Sequence, residues 1–324
     1  MPANLTPDYL AAERKFREAV TLEDKLAALE EMLATIPKHK GTDKMQADIK
    51  RRIARTKEEM RRRPATARRK AMYHVDREGA GQVVLVGPPN SGKSQLLATL
   101  TNAIPQVADY PFTTREPLPG MMPFENVQVQ LVDLPPLASD FTSPWMLGLV
   151  RAADAVLLVV DLSSDDVLAQ VESTLGILEA GKIRLGPRRG DDASTKKALV
   201  AANKADVPGA MGHFGLVEEV CGDLPLLPVS ARTGLNLEEL RRQLFELLDV
   251  IRVYTRAPGK KPDLTRPYVL KKGTTVIEAA ATVHKDIARN LRAARVWGRR
   301  TFEDGQAVPR DYVLEDGDIV QFQT

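Results

Sequence analysis

One stretch of the chain has residue types and spacing that point directly to chemistry, Gly87-Pro-Pro-Asn-Ser-Gly-Lys-Ser94. It fits the phosphate-binding loop pattern G-x-x-x-x-G-K-[ST], and it directly follows an apolar run at residues 83–86. Residues 93–100 have a helical pattern, so backbone N–H groups and a helix N-terminus would converge on one anion. We predict a nucleotide site, with a chance glycine-rich turn as the alternative. Its phosphate-binding residues would be Gly87, Pro88, Pro89, Asn90, Ser91, Gly92, Lys93 and Ser94.

A carboxylate in a later strand complements this loop. Asp133 ends the apolar run at residues 127–132, a position from which an aspartate can reach a magnesium ion beside the phosphates. Ser94 would supply a hydroxyl ligand to the same ion. A cap or turn role is the alternative for an isolated strand-end aspartate. We predict Mg²⁺ at Ser94 and Asp133.

Base selection is suggested by Asn203-Lys-Ala-Asp206, which follows the apolar run 199–202. An aspartate accepts two hydrogen bonds from the N1–H and 2-amino groups of guanine, and adenine lacks this donor pair. Such a mismatch can discriminate by about 10⁴. We predict that Asp206 selects guanine, that Asn203 ties this loop to the phosphate loop, and that the Lys204 stem covers the base. Ser230 and Ala231 would add a backbone contact to the guanine oxygen.

Alternating apolar runs and helical patterns surround these motifs and predict an α/β P-loop domain. Near-continuous apolar runs are typical of strands buried on both faces of a mostly parallel sheet. The expected strands are 83–86, 127–132, 155–160, 199–202 and 226–229, and the expected helices are 93–100, 144–152, 166–180 and 237–249.

Two different segments flank this domain. Leu22, Leu26, Leu29, Leu33 and Ile36 share one helical face, and a second apolar face follows at residues 45–60, so we predict a helical hairpin. After residue 249 the pattern changes to short strands around a helix that begins at Val276, which predicts an α+β unit. The expected domains are a basic helical arm at 1–75, the nucleotide domain at 80–250 and the small unit at 251–324.

The arm concentrates positive charge. Residues 44–70 hold twelve Lys and Arg against three acids, a net +9, whereas the whole chain is +3 and the remainder therefore −6. Such clusters bind nucleic-acid phosphates with counterion release, and a solvated helix face is the alternative. Because no base-reading motif accompanies the charges, RNA contact would be electrostatic.

Composition narrows the class of protein. No run of about 18 apolar residues exists to span a membrane. The N-terminus lacks the pattern of a secretory signal, so we expect a cytoplasmic protein. The single cysteine, Cys221, cannot form an internal disulfide, and the four histidines are scattered, so we expect no histidine or cysteine metal site.

Together these motifs resemble the Obg and developmentally regulated GTP-binding (DRG) group of GTPases. The resemblance rests on the phosphate loop, Ala108-Asp-Tyr-Pro-Phe-Thr-Thr114, Asn203–Asp206 and a C-terminal unit that resembles a TGS domain, a ubiquitin-like β-grasp module. It implies that Thr114, with Thr113 as the alternative, is the switch threonine that closes on Mg²⁺ and the γ-phosphate. It also implies that Asn90 holds a K⁺ ion that assists hydrolysis, and a turn-stabilising asparagine is the equal alternative.

The sequence departs from this family after Asp133. The family pattern is D-x-P-G, but here Pro136 replaces the glycine and has no N–H for the γ-phosphate. Leu137 stands where many GTPases place a water-orienting glutamine. The loop between Asp161 and Leu199 is also too short for the domain that DRG proteins carry within the G domain.

We therefore expect a slow GTP-hydrolysing switch that acts on ribosomes or RNA through residues 44–70 and the TGS-like unit. Lys93, Thr114 and Asn90 would be its catalytic residues, and an activating protein could assist it. One alternative is a scaffold that binds GTP or GDP without turnover. The other is an ATPase, which would have to bind adenine despite Asp206.

Overall fold

The computed structural model describes residues 7–19, 22–37, 42–62, 73, 75–101, 116–138, 142–187, 194–298 and 305–324 of the 324-residue chain. The chain divides into two compact units, residues 1–74 and 75–324. Within the described ranges, no helix combines the length and apolar content that crossing a bilayer requires.

The first unit consists of helices in its described part. They are α1 (Pro7–Glu18), α2 (Leu22–Thr35) and α3 (Asp43–Arg62). Tyr9 and Ala12 from α1 pack with Leu29 and Met32 from α2 and Ile49 from α3 in one buried cluster. The predicted N-terminal helices are confirmed, and α1 adds a third helix, whose small apolar face was not recognised in the sequence.

The second unit begins with a seven-stranded sheet in its described part, in the order β2-β3-β1-β4-β6-β5, with β7 beside β6. Every pair is parallel except β2 and β3, which form an antiparallel hairpin. The strands are β1 (Gln82–Val86), β2 (Leu118–Phe124), β3 (Val127–Asp133), β4 (Ala155–Asp161), β5 (Arg184–Gly186), β6 (Thr195–Asn203) and β7 (Leu226–Pro228). The predicted mostly parallel sheet is confirmed.

Helices cover both faces of this sheet. They are α4 (Lys93–Leu100), α5 (Pro144–Ala152), α6 (Val167–Ala180), α7 (Phe214–Cys221) and α8 (Leu237–Leu247). Alternate residues of the strands enter two separate cores, so that Val84 packs with α5 and α6 whereas Val83 packs with α4 and α8. Every residue of β1 and β4 is buried, which explains their unbroken apolar sequences.

A second, five-stranded sheet follows in the order β11-β10-β12-β8-β9. Its elements are β8 (Val250–Thr255), β9 (Tyr268–Lys271), α9 (Val276–Val283), α10 (Lys285–Asn290), β10 (Ala293–Trp297), β11 (Gln306–Val308) and β12 (Ile319–Gln323). The buried Val276 and Ala280 of α9 pack with Val253, Val296 and Val320 from the sheet. The predicted separate α+β unit is confirmed.

Arg252 joins the second sheet to the turn between β2 and β3. Its guanidinium donates to the carboxylates of Glu125 and Asp316, and it lies 5.2 Å from the ring centroid of Phe245. The Arg252 side chain is only 13% exposed, whereas those of Glu125 and Asp316 are 61% and 39% exposed, so these ion pairs are partly open to solvent. The two sheets therefore share a packed junction.

Candidate functional site

The phosphate loop lies at the carboxyl end of β1, which runs between β3 and β4. Its backbone has a positive φ at Gly87 and at two further positions. Asn90 has a φ of 60° and Gly92 a φ of 86°, both in the left-handed region. Gly92 immediately precedes α4, so the loop turns sharply and presents the start of that helix to an anion.

Gly92 also lies so close to the Asn203 side chain that a residue with a Cβ atom would not fit at this position without a shift. A Cβ atom at this position would lie 2.3 Å from Asn203 Nδ2. We expect Gly92→Ala to lower the free energy of unfolding by about 1–3 kcal/mol and to weaken GDP binding strongly, because the loop must move away from Asn203. Urea unfolding and nucleotide titration measure both effects.

Gly176→Ala is the matched control for this prediction. Gly176 lies inside α6, and an added Cβ there would meet nothing within 4 Å. Since alanine is favoured over glycine in a helix, this variant should be as stable as the wild type or more stable by about 0.5–1 kcal/mol. Equal stability and equal GDP affinity of the two variants would contradict the prediction for Gly92.

Lys93 places its ammonium inside the loop. Nζ donates to the carbonyl oxygens of Pro88 at 2.7 Å and Gly87 at 3.1 Å. Burial lowers the pKa of Lys93 to about 8, and the nearby charge of Asp133 partly opposes this shift. A phosphate oxygen entering the loop would meet a shielded cation, which makes their attraction stronger than in water.

Ser94 and Asp133 meet beside the loop. Ser94 Oγ donates to Asp133 Oδ2 at 2.5 Å, while the fully buried Asp133 Oδ1 has no hydrogen-bond partner in the described part of the chain. Burial raises the pKa of Asp133, which the Ser94 hydrogen bond and the Lys93 charge oppose. An unpartnered carboxylate oxygen next to a hydroxyl fits a hard cation such as Mg²⁺.

The Ser94 hydroxyl and the Asp133 carboxylate would supply only part of the coordination shell of a magnesium ion. The described residues contain no group of three or more His, Cys, Asp or Glu side chains that could bind a metal. Mg²⁺ usually keeps several waters and binds through one or two carboxylates together with substrate phosphates. The residues present therefore fit a metal ion that binds together with a nucleotide.

Asn203 connects three loops through one buried side chain. Nδ2 donates to Ser91 O in the phosphate loop at 2.9 Å, and Oδ1 accepts from Ala231 N at 3.0 Å. The residue is 1% exposed, so both hydrogen bonds are shielded from water. The Ala231 N–H, which the sequence predicts to contact the guanine oxygen, donates to Asn203 Oδ1 in this structure.

The two charged residues after Asn203 both form ion pairs. Lys204 Nζ lies 2.6 Å from Asp161 Oδ2, and Asp206 Oδ2 accepts from Arg232, with the Nε contact at 2.9 Å. Hydrogen bonds from Ser230 and then Arg232 lower the pKa of Asp206, so it is an ionised acceptor at neutral pH. Arg232 shares this carboxylate with any guanine edge that binds there.

Sequence reasoning missed Asp161 and Arg232. Asp161 ends the apolar strand β4 just as Asp133 ends β3, so the same signal was present. Arg232 directly follows the assigned pair Ser230-Ala231, but nothing in the sequence shows that its guanidinium reaches Asp206. Both contacts depend on how neighbouring loops meet at the carboxyl edge of the sheet.

The structure describes only some of the segments in which we expect catalytic residues. Thr113 and Thr114 lie outside the described residues. Leu137 is buried in the core, and its N–H donates to Gly87 O at 3.1 Å. In this arrangement the leucine side chain packs among apolar residues, and its amide is held by the first glycine of the phosphate loop.

A mostly parallel sheet with a phosphate loop after β1, and an Asn-Lys-x-Asp loop beside it, defines a P-loop G domain. Residues 82–186 match the family model described as 50S ribosome-binding GTPase, and residues 251–324 match the TGS domain model. The solved structure of the Schizosaccharomyces pombe YchF GTPase has the same fold, with a TM-score of 0.54 and 16% identity, covering 77% of this chain and all of that one.

The chain thus combines a GTPase-family domain with a TGS domain, and along most of its length it is similar to the developmentally regulated GTP-binding proteins. It is 24% identical to developmentally-regulated GTP-binding protein 2 of Mus musculus, covering 92% of this chain and 98% of that one. An uncharacterized GTP-binding protein of Methanocaldococcus jannaschii is 29% identical over 364 positions, covering 94% and 93%. Since 364 exceeds the 324 residues of this chain, that relative carries sequence without a counterpart here.

Proposed function

We propose that this protein binds GTP and GDP with Mg²⁺, hydrolyses GTP slowly and acts as a nucleotide-dependent switch on ribosomes or RNA in the cytoplasm. The observation that carries the proposal is the bridge made by Asn203 between the phosphate loop and the loop of Ala231, with Asp206 ionised beside it. Lys93 would stabilise phosphate charge, and Ser94, Thr114 and Asp133 would hold the metal ion. This ion would neutralise charge on the transferred phosphoryl group.

Single-turnover hydrolysis tests the enzymatic part of this proposal. Full-length protein is loaded with radiolabelled GTP, and released phosphate is followed with and without ribosomes. We expect slow release alone and faster release with ribosomes, since activators commonly complete GTPase sites. Tight GTP binding with no release in either condition would favour the non-hydrolysing scaffold. Preferential ATP binding would favour the ATPase alternative.

Pro136 provides a prediction about the rate. It cannot donate a backbone hydrogen bond to the γ-phosphate, and removing one preorganised donor typically costs about 10²–10³ in kcat. We therefore expect Pro136→Gly to accelerate single-turnover hydrolysis at least about tenfold. Pro135→Gly adds the same backbone freedom one residue earlier and serves as the control. If both variants hydrolyse GTP at the same rate, the missing N–H does not limit this enzyme.

The proposed ribosome or RNA contact is supported by α3. Lys50, Arg51 and Arg55 are exposed, and none of them has an ion pair with another described residue. Replacing all three with glutamine should weaken ribosome co-sedimentation and reduce its dependence on salt, because fewer counterions are released. Lys15, Arg52 and Lys57, each already paired with an acidic residue, form a control triple of equal charge loss. Equal loss of binding in both triples would mean that only the total charge matters, and it would contradict a specific role for Lys50, Arg51 and Arg55.

The potassium proposal concerns Asn90. Its exposed position and left-handed φ of 60° also suit an asparagine that only stabilises the turn. Hydrolysis should be faster in potassium than in sodium at equal ionic strength if Asn90 holds a K⁺ ion. Equal rates would assign Asn90 to the turn alone.

A further inference from the structure

Asp161 is a buried carboxylate at the carboxyl edge of the sheet that the proposed phosphate and magnesium sites do not use. It ends β4, and in the pairing of β4 with β6 it stands opposite Asn203. Its side chain is 11% exposed. A charged group in such a position is rarely retained without a partner.

Both carboxylate oxygens of Asp161 have partners. Oδ1 accepts from the backbone N–H of Ser163 at 2.9 Å and from its hydroxyl at 2.6 Å. Oδ2 accepts from Lys204 Nζ at 2.6 Å. Ser163 therefore fixes the orientation of the carboxylate, and the carboxylate fixes the end of the Lys204 side chain.

The other end of Lys204 is also held. Its backbone has a φ of 61° in the left-handed region, and its carbonyl oxygen accepts from Val207 N at 3.0 Å. The next amide, Ala205 N, donates to Val229 O at 3.1 Å. The four-carbon stem of Lys204 thus spans two fixed points beside the loop that carries Asp206.

We infer that Asp161 is a positioning residue for the base pocket, which anchors the Lys204 ammonium so that the lysine stem forms a fixed wall against the purine ring. This inference rests on the proposed binding of guanine nucleotides. The stem contacts the flat face of the ring, which all purines share, whereas Asp206 recognises the edge that distinguishes guanine.

The anchor acts on affinity through preorganisation. A free lysine side chain loses rotamer freedom when a bound base orders it, and an anchored one has lost that freedom before binding. Removing the anchor should therefore weaken purine nucleotide binding by about threefold to tenfold, mainly through faster dissociation.

Asp161→Asn in the full-length chain tests this directly. Asparagine retains the shape and the acceptor for Ser163 but loses the negative charge that holds Lys204. We expect faster dissociation of a fluorescent GDP analogue and an almost unchanged association rate. The matched control is Asp165→Asn, which removes an exposed carboxylate from the same loop. If the two variants release GDP equally fast, the inference is overturned.

A double-mutant cycle separates loss of the ion pair between Asp161 and Lys204 from a general disturbance of the structure. Lys204→Met keeps most of the stem and removes its charge, so it should accelerate release by itself, even if Asp161→Asn fails to fold. The combined Asp161→Asn and Lys204→Met variant should release GDP no faster than the weaker-binding single variant, because both changes remove one interaction. Fully additive effects would overturn the anchor.

Inosine diphosphate, which lacks the 2-amino group, separates the contact of the Lys204 stem with the ring face from the recognition of the ring edge by Asp206. Asp161→Asn should weaken the binding of GDP and of inosine diphosphate by the same factor. A changed ratio of the two affinities would mean that the Asp206 loop itself was distorted. If the wild type binds no guanine nucleotide, the proposed function fails and this inference fails with it. If the wild type binds GDP and Asp161→Asn resembles Asp165→Asn, only the inference fails.

Discussion

Asp206→Asn is expected to weaken GDP binding by about 10³–10⁴ and to create affinity for xanthosine diphosphate. Guanine presents two donors to the carboxylate, and asparagine offers one acceptor and one donor, so one guanine hydrogen bond is replaced by two opposed N–H groups. Xanthine presents one donor and one acceptor at the same edge and matches asparagine. Competition titrations with GDP, xanthosine diphosphate and ADP measure the change.

The size of this effect follows from the surroundings of Asp206. Its side chain is only 11% exposed, and hydrogen bonds from Ser230 and Arg232 hold it ionised. A mismatched group in such a position is left without a water partner, which makes it costly. Asp223→Asn changes an exposed aspartate in the same domain and should leave all three affinities unchanged. GDP affinity of Asp206→Asn within about threefold of the wild type would remove Asp206 from base selection.

Asn203→Ala should damage stability and binding together. The change leaves Ser91 O and Ala231 N without the partners that they have at 2.9 and 3.0 Å. Each buried polar group left unsatisfied costs about 1–3 kcal/mol, so the free energy of unfolding should fall by about 2–6 kcal/mol. GDP affinity should fall by at least about 10², because the phosphate loop and the base loop are no longer tied together.

Urea unfolding with and without GDP separates the two effects of Asn203→Ala. We expect a lower midpoint without nucleotide and less stabilisation by GDP, since the stabilisation by a ligand falls with the logarithm of the ratio of its free concentration to its Kd. Asn290→Ala, at an exposed helix end, should match the wild type in both respects. A variant at residue 203 that is destabilised but binds GDP normally would show that the bridge supports the fold without shaping the site.

The fold was largely predictable where one physical signal dominated. β1 and β4 are buried on both faces, so their apolar runs identified them directly. β2 was missed because Pro119, Gly120 and Pro123 lower strand propensity. It forms at the edge of the sheet through pairing with β3, where a proline is tolerated. Strand formation there depends on the partner strand more than on its own residues.

Sequence by itself determined the chemistry that this protein can offer. A phosphate loop, a strand-end aspartate and an Asn-Lys-x-Asp loop are local patterns, since each owes its role to residue type and to the strand that precedes it. The family matches confirm a GTPase-family domain and a TGS domain.

Only the tertiary structure decided how these patterns are held. Asn203 reaches Ser91 and Ala231, Lys204 reaches Asp161, and the Leu137 N–H donates to Gly87 O. Each contact joins residues that are distant in sequence, brought together because parallel strands end at one edge of a sheet. A shift of a few tenths of an ångström between two loops can make or break such a hydrogen bond. Residue order alone does not specify these distances.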